Sequence, residues 1–484
     1  MNGFFIQDTI AAPATIPGTG AISIIRISGS HTFEVLDKVI SFKKGNVNEF
    51  AGYTIHFGTV SQEDGSVLDD VLVSIFRAPH SYTGEDSAEI SCHGSSYIVS
   101  EIMVQLTAAG ARMAEPGEFT KRAYVNGKMD LAQAESVADV IAAQDQASHR
   151  VAMDQLRGGI SSELRALRDG LLEMTALMEL ELDFSEEDVE FADRSKLSAL
   201  LDRVLAKVSS LADSFRYGNA IRNGVPVTIA GPANSGKSTL LNALLGEDRA
   251  IVSDIAGTTR DTIEEMLVID GVRFRFIDTA GIREGAETVE KIGIERTFRK
   301  ISEAEIVLGM VDSTDDFESV CEAVRSLVSK VDMGRQKLAV LVNKCDIPDP
   351  DSGNSGGAGT INKNVTNINN FVSSLDNKIV SLCISARDGF GLPELRQWLA
   401  RSQKDLLSAS QDNVLVTNIR HFEALSAART SLLRVRDGLS LGVPSDLVAQ
   451  DLREAIYSLG SITGGEITAD ETLGVIFSKF CIGK

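Results

Sequence analysis

The sequence holds one tryptophan, five cysteines and ten prolines in 484 residues, and aromatic residues make up only 6% of it. Cys92, Cys321, Cys345, Cys383 and Cys481 are widely scattered, with no C-x-x-C pair among them. That spacing argues against a disulfide framework and a thiolate zinc site, and it fits reduced thiols in a cytoplasmic protein. Cys92-His93 has no further ligands spaced to complete a metal centre. No uninterrupted apolar run reaches the roughly 20 residues that span a bilayer, so no membrane association is expected. Met1 to Pro13 lacks the basic start and long apolar stretch of a secretory signal. Positive charge is short as well: 47 Lys and Arg stand against 68 Asp and Glu, a net charge of −21. Such a chain is poorly suited to broad, non-specific binding of nucleic acid, although a local basic patch can still grip one RNA.

What is present is a globular composition, 43% hydrophobic and 24% charged, over a length that calls for two to four domains. From Ile6 to Gly127, short β-rich runs are broken by Gly and Pro. Ala21 to Ser28 and Val71 to Phe76 read as strands and Ser96 to Ala109 as a helix, so residues 1–128 are expected to form an α/β domain. From Asp130 the texture turns helical. Leu164, Leu167, Leu171, Met174 and Met178 recur at spacings of three and four, as do Leu425, Ala428, Leu432, Val435 and Leu439. Two helical segments, 129–223 and 401–484, each need a partner for an apolar face. The economical arrangement packs them together, with residues 224–400 inserted between them as a separate domain. The carboxylate-rich run Glu179 to Glu190 reads as a solvated connection, and Pro348 to Asn370, rich in Gly, Asn and Ser, as a floppy surface insertion.

The inserted segment carries the chemistry. Val225 to Ala230 reads as a buried strand and runs straight into Gly231-Pro232-Ala233-Asn234-Ser235-Gly236-Lys237-Ser238, followed by a helical Thr239 to Leu245. This is G-x-x-x-x-G-K-S in its required strand–loop–helix context, where backbone N–H groups and a helix N-terminus face phosphates. Lys237 is expected on the β- and γ-phosphates and Ser238 on magnesium. Asp278-Thr279-Ala280-Gly281 follows an apolar strand, where a carboxylate can hold magnesium through water and a glycine N–H can sense the γ-phosphate. Asn343-Lys344-Cys345-Asp346 follows the strand Leu338 to Val342, and Asp346 can accept hydrogen bonds from the guanine N1 and N2 donors. Ser385-Ala386-Arg387 supplies a backbone contact near the guanine O6. Four motifs in this order predict GTP rather than ATP. Switch I spans Ser253-Asp254-Ile255-Ala256-Gly257-Thr258-Thr259-Arg260-Asp261, with Thr259 as the second magnesium hydroxyl. Ile282 stands where Ras-like proteins carry a water-orienting glutamine, so hydrolysis must be organised differently. Glu290 can position that water or be a surface charge. Asn234 can ligate a monovalent cation beside the phosphates or simply form a turn.

The resemblance extends beyond the nucleotide domain. The runs Gly257 to Asp261, Asp278 to Arg283 and Val289 to Glu295 resemble the switch regions of the MnmE (TrmE) family. Thr83-Gly84-Glu85-Asp86, Pro116 to Ala123, Asn126 to Glu135 and Phe480-Cys481-Ile482-Gly483-Lys484 resemble that family too. The likeness covers nearly the whole chain, apart from the insertion at Ser352 to Asn370. It implies a multidomain α/β plus α architecture: a folate-binding N-terminal α/β domain, a discontinuous helical domain and an inserted Ras-like P-loop GTPase domain. It implies a homodimer that works with an FAD-dependent MnmG-type partner in a heterotetramer. The reaction implied modifies C5 of the wobble uridine of certain tRNAs, using 5,10-methylenetetrahydrofolate or a related derivative. Potassium-dependent pairing of GTPase domains accompanies hydrolysis in that family. By the same resemblance, Asn234, Ser253, Ile255 and Thr258 match potassium positions, and Glu290 matches the water-orienting glutamate. Arg26, Glu89, Lys128 and Lys484 match folate-contacting positions; without the family Arg26 would read as a surface charge at a strand end. Cys481 reads either as a reactive thiol or as a small buried residue. The competing function is a regulatory GTPase switch for ribosome or complex assembly, which needs neither the folate-type residues nor the terminal Cys-Ile-Gly-Lys.

Overall fold

In the computed structural model the described residues are 8–183, 194–246, 264–277, 301–347, 363–403, 414–465, 476–477, 480 and 483. They form two compact units, one of residues 1–143, 152–212 and 420–484 and the other of residues 144–151 and 213–419.

The first unit is built on seven strands: Ile10–Pro13 (β1), Ile22–Ser28 (β2), Ile40–Phe42 (β3), Thr54–Ser61 (β4), Val67–Phe76 (β5), Ser87–His93 (β6) and Arg112–Met113 (β7). Their order in the sheet is β3-β4-β5-β6-β2-β1-β7, antiparallel throughout except for β1 with β7. Period-two alternation fixes the faces. Val71, Val73 and Ile75 of β5 and Ile25 and Ile27 of β2 are buried on the side covered by helices Thr32–Val39 (α1) and Ser96–Ala108 (α2). Arg26 therefore points to the opposite face, beside its cross-strand neighbour Glu89.

Helices Glu118–Val125 (α3), Leu131–Ala142 (α4), Gln146–Leu156 (α5), Gly159–Asp183 (α6) and Arg194–Asn223 (α7) follow. Asp130 starts α4 as a capping box: its carboxylate accepts from Gln133 N at 3.0 Å, and Gln133 Oε1 accepts from Asp130 N at 3.0 Å. The stripe Leu164, Leu167, Leu171, Met174 and Met178 is buried along α6, as its spacing predicts. Its main helical neighbour is a C-terminal helix, Ser445–Thr463. Helix α6 runs on to Asp183, so the carboxylate-rich run begins inside a helix rather than as a connection.

The second unit holds a six-stranded sheet of Val225–Ala230 (β8), Glu265–Ile269 (β9), Val272–Phe276 (β10), Ile306–Asp312 (β11), Lys337–Asn343 (β12) and Val380–Cys383 (β13). The order is β13-β12-β11-β8-β10-β9, parallel except for the β9–β10 hairpin. That hairpin turns on Asp270-Gly271, both with positive φ, the two-residue turn that suits strand twist. β11 is buried along its whole length, as expected of a central parallel strand covered on both faces. Helices Lys237–Gly246 (α8), Phe317–Val328 (α9), Lys363–Leu375 (α10) and Leu392–Ser402 (α11) complete this unit, and Ile419–Leu441 (α12) and Ser445–Thr463 (α13) follow in the chain. This unit begins before β8 because the end of α7 belongs to it. Ala220 packs in the sheet's core cluster, Ile221 packs with Val151 and Leu415, and Arg273 Nη2 meets Asp145 Oδ2 at 2.7 Å.

One expectation is corrected. The stretch to Asn370 is not insertion throughout: α10 starts at Lys363, and Val365, Ile368 and Val372 are buried at helical spacing. Their apolar face outweighs the weak helix propensity of the surrounding asparagines.

Candidate functional site

Two candidate sites lie in the two units, each described separately.

In the second unit, β8 ends at Ala230 and the chain enters the phosphate loop through Gly231, at φ 157°. Asn234 (φ 61°) and Gly236 (φ 99°) also take positive φ, which turns the backbone into a concave loop before α8 starts at Lys237. Gly236 has a packing reason besides: a Cβ there would sit 2.3 Å from Asn343 Nδ2. The Lys237 ammonium folds over the loop and donates to Gly231 O at 3.0 Å and Pro232 O at 2.6 Å. Burial lowers its pKa, a cost that an anion beside it would relieve.

Asn343 closes the loop from below. Only 3% exposed, it donates from Nδ2 to Ser235 O at 2.8 Å and accepts from Ala386 N on Oδ1 at 3.0 Å. One side chain thus joins the phosphate loop to the Ser385-Ala386 loop. Lys344 has φ 61° and pairs with Asp312, which that contact and the Thr314 hydrogen bonds hold below the usual carboxylate range against the opposing effect of burial. The turn leaves Asp346 exposed next to the loop of Ser385, Ala386 and exposed Arg387. Asn234, Ser235, Gly236, Lys237, Ser238, Thr239, Asn343, Lys344, Asp346, Ser385, Ala386 and Arg387 are all described, at the carboxyl ends of parallel strands where α/β sheets bind ligands. Ser253, Asp254, Ile255, Ala256, Gly257, Thr258, Thr259, Asp278, Thr279, Ala280, Gly281 and Glu290 lie outside the described residues.

In the first unit, Arg26 is half-buried in the middle of β2, not at a strand end. Its Nε and Nη2 donate to Glu89 Oε1 at 3.1 and 2.8 Å, and its Nη1 to Gly483 O at 3.4 Å. The guanidinium carbon lies 5.4 Å from the Tyr82 ring centre and 5.7 Å from that of Phe119. Lys128 Nζ donates to Pro79 O at 2.9 Å on the same loop that carries Tyr82. Lys484 and Cys481 lie outside the described residues.

Beneath this pair runs a charge network that motif reading misses. Arg122, 1% exposed, reaches Asp8 at 2.6 Å, Glu118 at 3.1 Å and Glu85 at 3.3 Å; Arg112 reaches Asp8 and Glu118, both at 2.7 Å. Burial alone would raise the Glu118 carboxyl. The hydrogen bonds from Arg112, Glu115 N–H and Arg122 overcome it and hold the group below its ordinary value. Glu85 continues to Ser28 Oγ at 2.9 Å, and Ser28 shares a hydrogen bond with Thr83 at 2.7 Å. The runs around Thr83 to Asp86 and Pro116 to Ala123 thus converge to fix the loop and the Phe119 ring around Arg26.

Comparison with known proteins identifies the family. The family model described as the MnmE helical domain matches residues 131–481, and that of the GTP-binding protein TrmE N-terminus matches residues 9–128. The tRNA modification GTPase MnmE of Bacteroides thetaiotaomicron is 49% identical over 480 residues, 99% of this chain and 100% of its own length. The proteins of the same name from Bacteroides fragilis and Flavobacterium johnsoniae are each 48% identical, covering 99% of this chain and 100% and 99% of their own. A solved GTP-binding protein of Sulfolobus solfataricus in complex with GDP is 18% identical over 50% of this chain and 67% of its own. Its TM-score is 0.26. On the full-length likeness and the two family models, the chain belongs to the MnmE family of tRNA modification GTPases and is a GTP hydrolase with a role in tRNA modification.

Proposed function

We propose that this GTPase is potassium-dependent and works in the cytoplasm as a homodimer with an MnmG-type, FAD-dependent partner. The reaction would add a folate-derived aminomethyl or carboxymethylaminomethyl group to C5 of the wobble uridine of certain tRNAs. The observation that carries this reading is the Arg26–Glu89 pair, held between Tyr82 and Phe119 on the face of a sheet that takes no part in the phosphate loop. A GTPase acting only as an assembly switch has no use for it.

The donor set fits a folate. Aromatic rings offer a stacking surface, the Glu89 carboxylate suits the pterin's N–H donors, and Arg26, Lys128 and Lys484 suit its glutamate tail. A tetrahydrofolate derivative bound there would supply the one-carbon unit. The protein's own residues would orient it: the Arg122 network sets the Phe119 and Tyr82 surfaces, and Glu89 fixes the Arg26 guanidinium.

For hydrolysis, the turned backbone of residues 231–236 would receive the phosphates, with Lys237 against the β- and γ-oxygens. The hard hydroxyl oxygens of Ser238 and Thr259 fit magnesium, and the oxygens of Asn234, Ser253, Ile255 and Thr258 fit potassium. Those cations would offset negative charge around the β–γ bridge. Asp278 would hold magnesium through water, the Gly281 N–H would sense the γ-phosphate, Glu290 would orient the attacking water, and Asp346 would select guanine. Nucleoside mass spectrometry of tRNA from cells lacking the protein tests the reading. C5-aminomethyl-type uridines should disappear and return on complementation; their persistence would move the assembly-switch function forward.

A further inference from the structure

Two thiols in the GTPase unit have no part in the chemistry above. Cys345 sits between Lys344 and Asp346, and Cys383 ends β13 two residues before Ser385. Parallel pairing sets Val342 beside Cys383. The chain then turns at Lys344, and Cys345 N donates to Ile384 O at 3.2 Å, which folds Cys345 back over the same strand. Its Sγ reaches Val342 O at 3.0 Å, and both cysteines pack on one apolar cluster with Val342, Val365 and Ile368. The two thiols lie close enough to shift each other's ionisation, and Asn369 Nδ2 donates to Cys383 Sγ at 3.5 Å. Both cysteines are half-buried, so small solutes reach them, whereas Cys92 and Cys321 are buried singly.

We propose that Cys345 and Cys383 form a peroxide-oxidisable dithiol whose disulfide ties together the loops Asn343–Asp346 and Ser385–Arg387 and weakens guanine-nucleotide binding. The roles divide by environment. Cys345 Sγ donates its proton to Val342 O, whereas the Cys383 sulfur accepts from the Asn369 amide. With its neighbour thiol beside it, Cys383 is lowered against the effect of burial, and Cys345 is raised. The Cys383 thiolate attacks one oxygen of hydrogen peroxide, breaking the O–O bond; the departing hydroxide takes up a proton as water, and the sulfur is left as a sulfenic acid. The Cys345 sulfur then attacks that sulfur, and its proton leaves with the hydroxyl as a second water. Two thiols lose two electrons and the peroxide gains two. The new S–S bond is about 2.0 Å long, shorter than any contact between separate thiols, so Cys345 must move toward β13. Asp346 follows it, and the hydrogen bond from Ala386 N to Asn343 lies in the same tie.

The test uses the full-length protein, freed of nucleotide and treated with stoichiometric hydrogen peroxide. Peptide mapping after alkylation should find the Cys345 and Cys383 peptides joined, two hydrogens lighter than their sum. Titration with a fluorescent GDP analogue should show affinity about tenfold weaker, a loss of roughly 1.4 kcal/mol, and dithiothreitol should restore it. Cys383→Ala and Cys345→Ser, each compared with itself before and after peroxide, should show no linked peptides and no change in affinity. A linked pair with unchanged affinity would overturn the proposal. So would Cys383 accumulating as sulfinic acid without a link, or an equal affinity loss in Cys383→Ala.

Discussion

The phosphate loop and the Arg26 cluster are built from opposite materials. The first is mainly backbone: positive-φ turns at Gly231, Asn234 and Gly236 aim N–H groups, and one buried asparagine holds the result. The second is nearly all side chain, on a sheet face whose register sets Arg26 beside Glu89 and whose loops bring Tyr82 and Phe119 over them. A backbone site depends on residues too small to interfere. A side-chain site depends on partners far apart in the chain, so the two should fail differently.

The largest effect is expected at Gly236. Gly236→Val puts a branched Cβ into the space of Asn343 Nδ2 and into a strained φ, which costs roughly 3 kcal/mol or more at the loop. GTP hydrolysis should fall to background with the first unit's folding intact, as circular dichroism and a hydrolysis assay would show. Arg26→Gln should do the reverse. On the proposed folate reading, losing a charge-assisted pair should weaken binding of the folate roughly 10- to 100-fold. Titration with a tetrahydrofolate derivative would read that loss, and GTPase turnover should stay at the wild-type level. If both activities fall together in Arg26→Gln, the separation between the two materials is lost.

The contrast also explains what could be read in advance. The loop 231–238 and the runs 343–346 and 385–387 are contiguous strings, because a backbone turn is local and leaves a local mark. Strand and helix positions at Val225–Ala230 and along α6 followed from burial periodicity for the same reason. The network of Asp8, Glu85, Arg112, Glu118 and Arg122 spreads over the first sheet and α3, and no spacing rule connects its members. Helix α10 carried its signal in Val365, Ile368 and Val372, but the asparagines between them looked like loop. Cys345 and Cys383 meet only because two parallel strands lie side by side.

A smaller effect concerns the helices that carry neither site. Buried Glu135 accepts from His421 Nε2 at 2.8 Å and Arg420 Nε at 2.9 Å, and these partners overcome burial to bring its carboxyl down to about 2. A depressed carboxyl stabilises the fold above its ordinary value and loses that contribution as pH falls toward the folded value. Glu135→Gln should lower stability by about 3 kcal/mol at pH 7. Its gap in Tm from wild type should narrow between pH 4.5 and pH 2. A gap independent of pH would mean that shape, not charge, holds these helices. The smallest effect is at Asp130, where Asp130→Ala removes one half of a capping box and should cost about 1 kcal/mol by denaturant titration. Neither change should discriminate between the two sites.

Asn343 has one more consequence, for exchange kinetics. Because its amide grips Ser235 on one side and Ala386 on the other, the halves of the site that face phosphate and base are thermodynamically linked. A nucleotide cannot release its base while the loop around its phosphates stays unaffected; loosening either end raises the escape rate of the other. Occupancy should therefore be close to all-or-none, with pyrophosphate and guanosine each binding more weakly alone than their joined affinity would suggest.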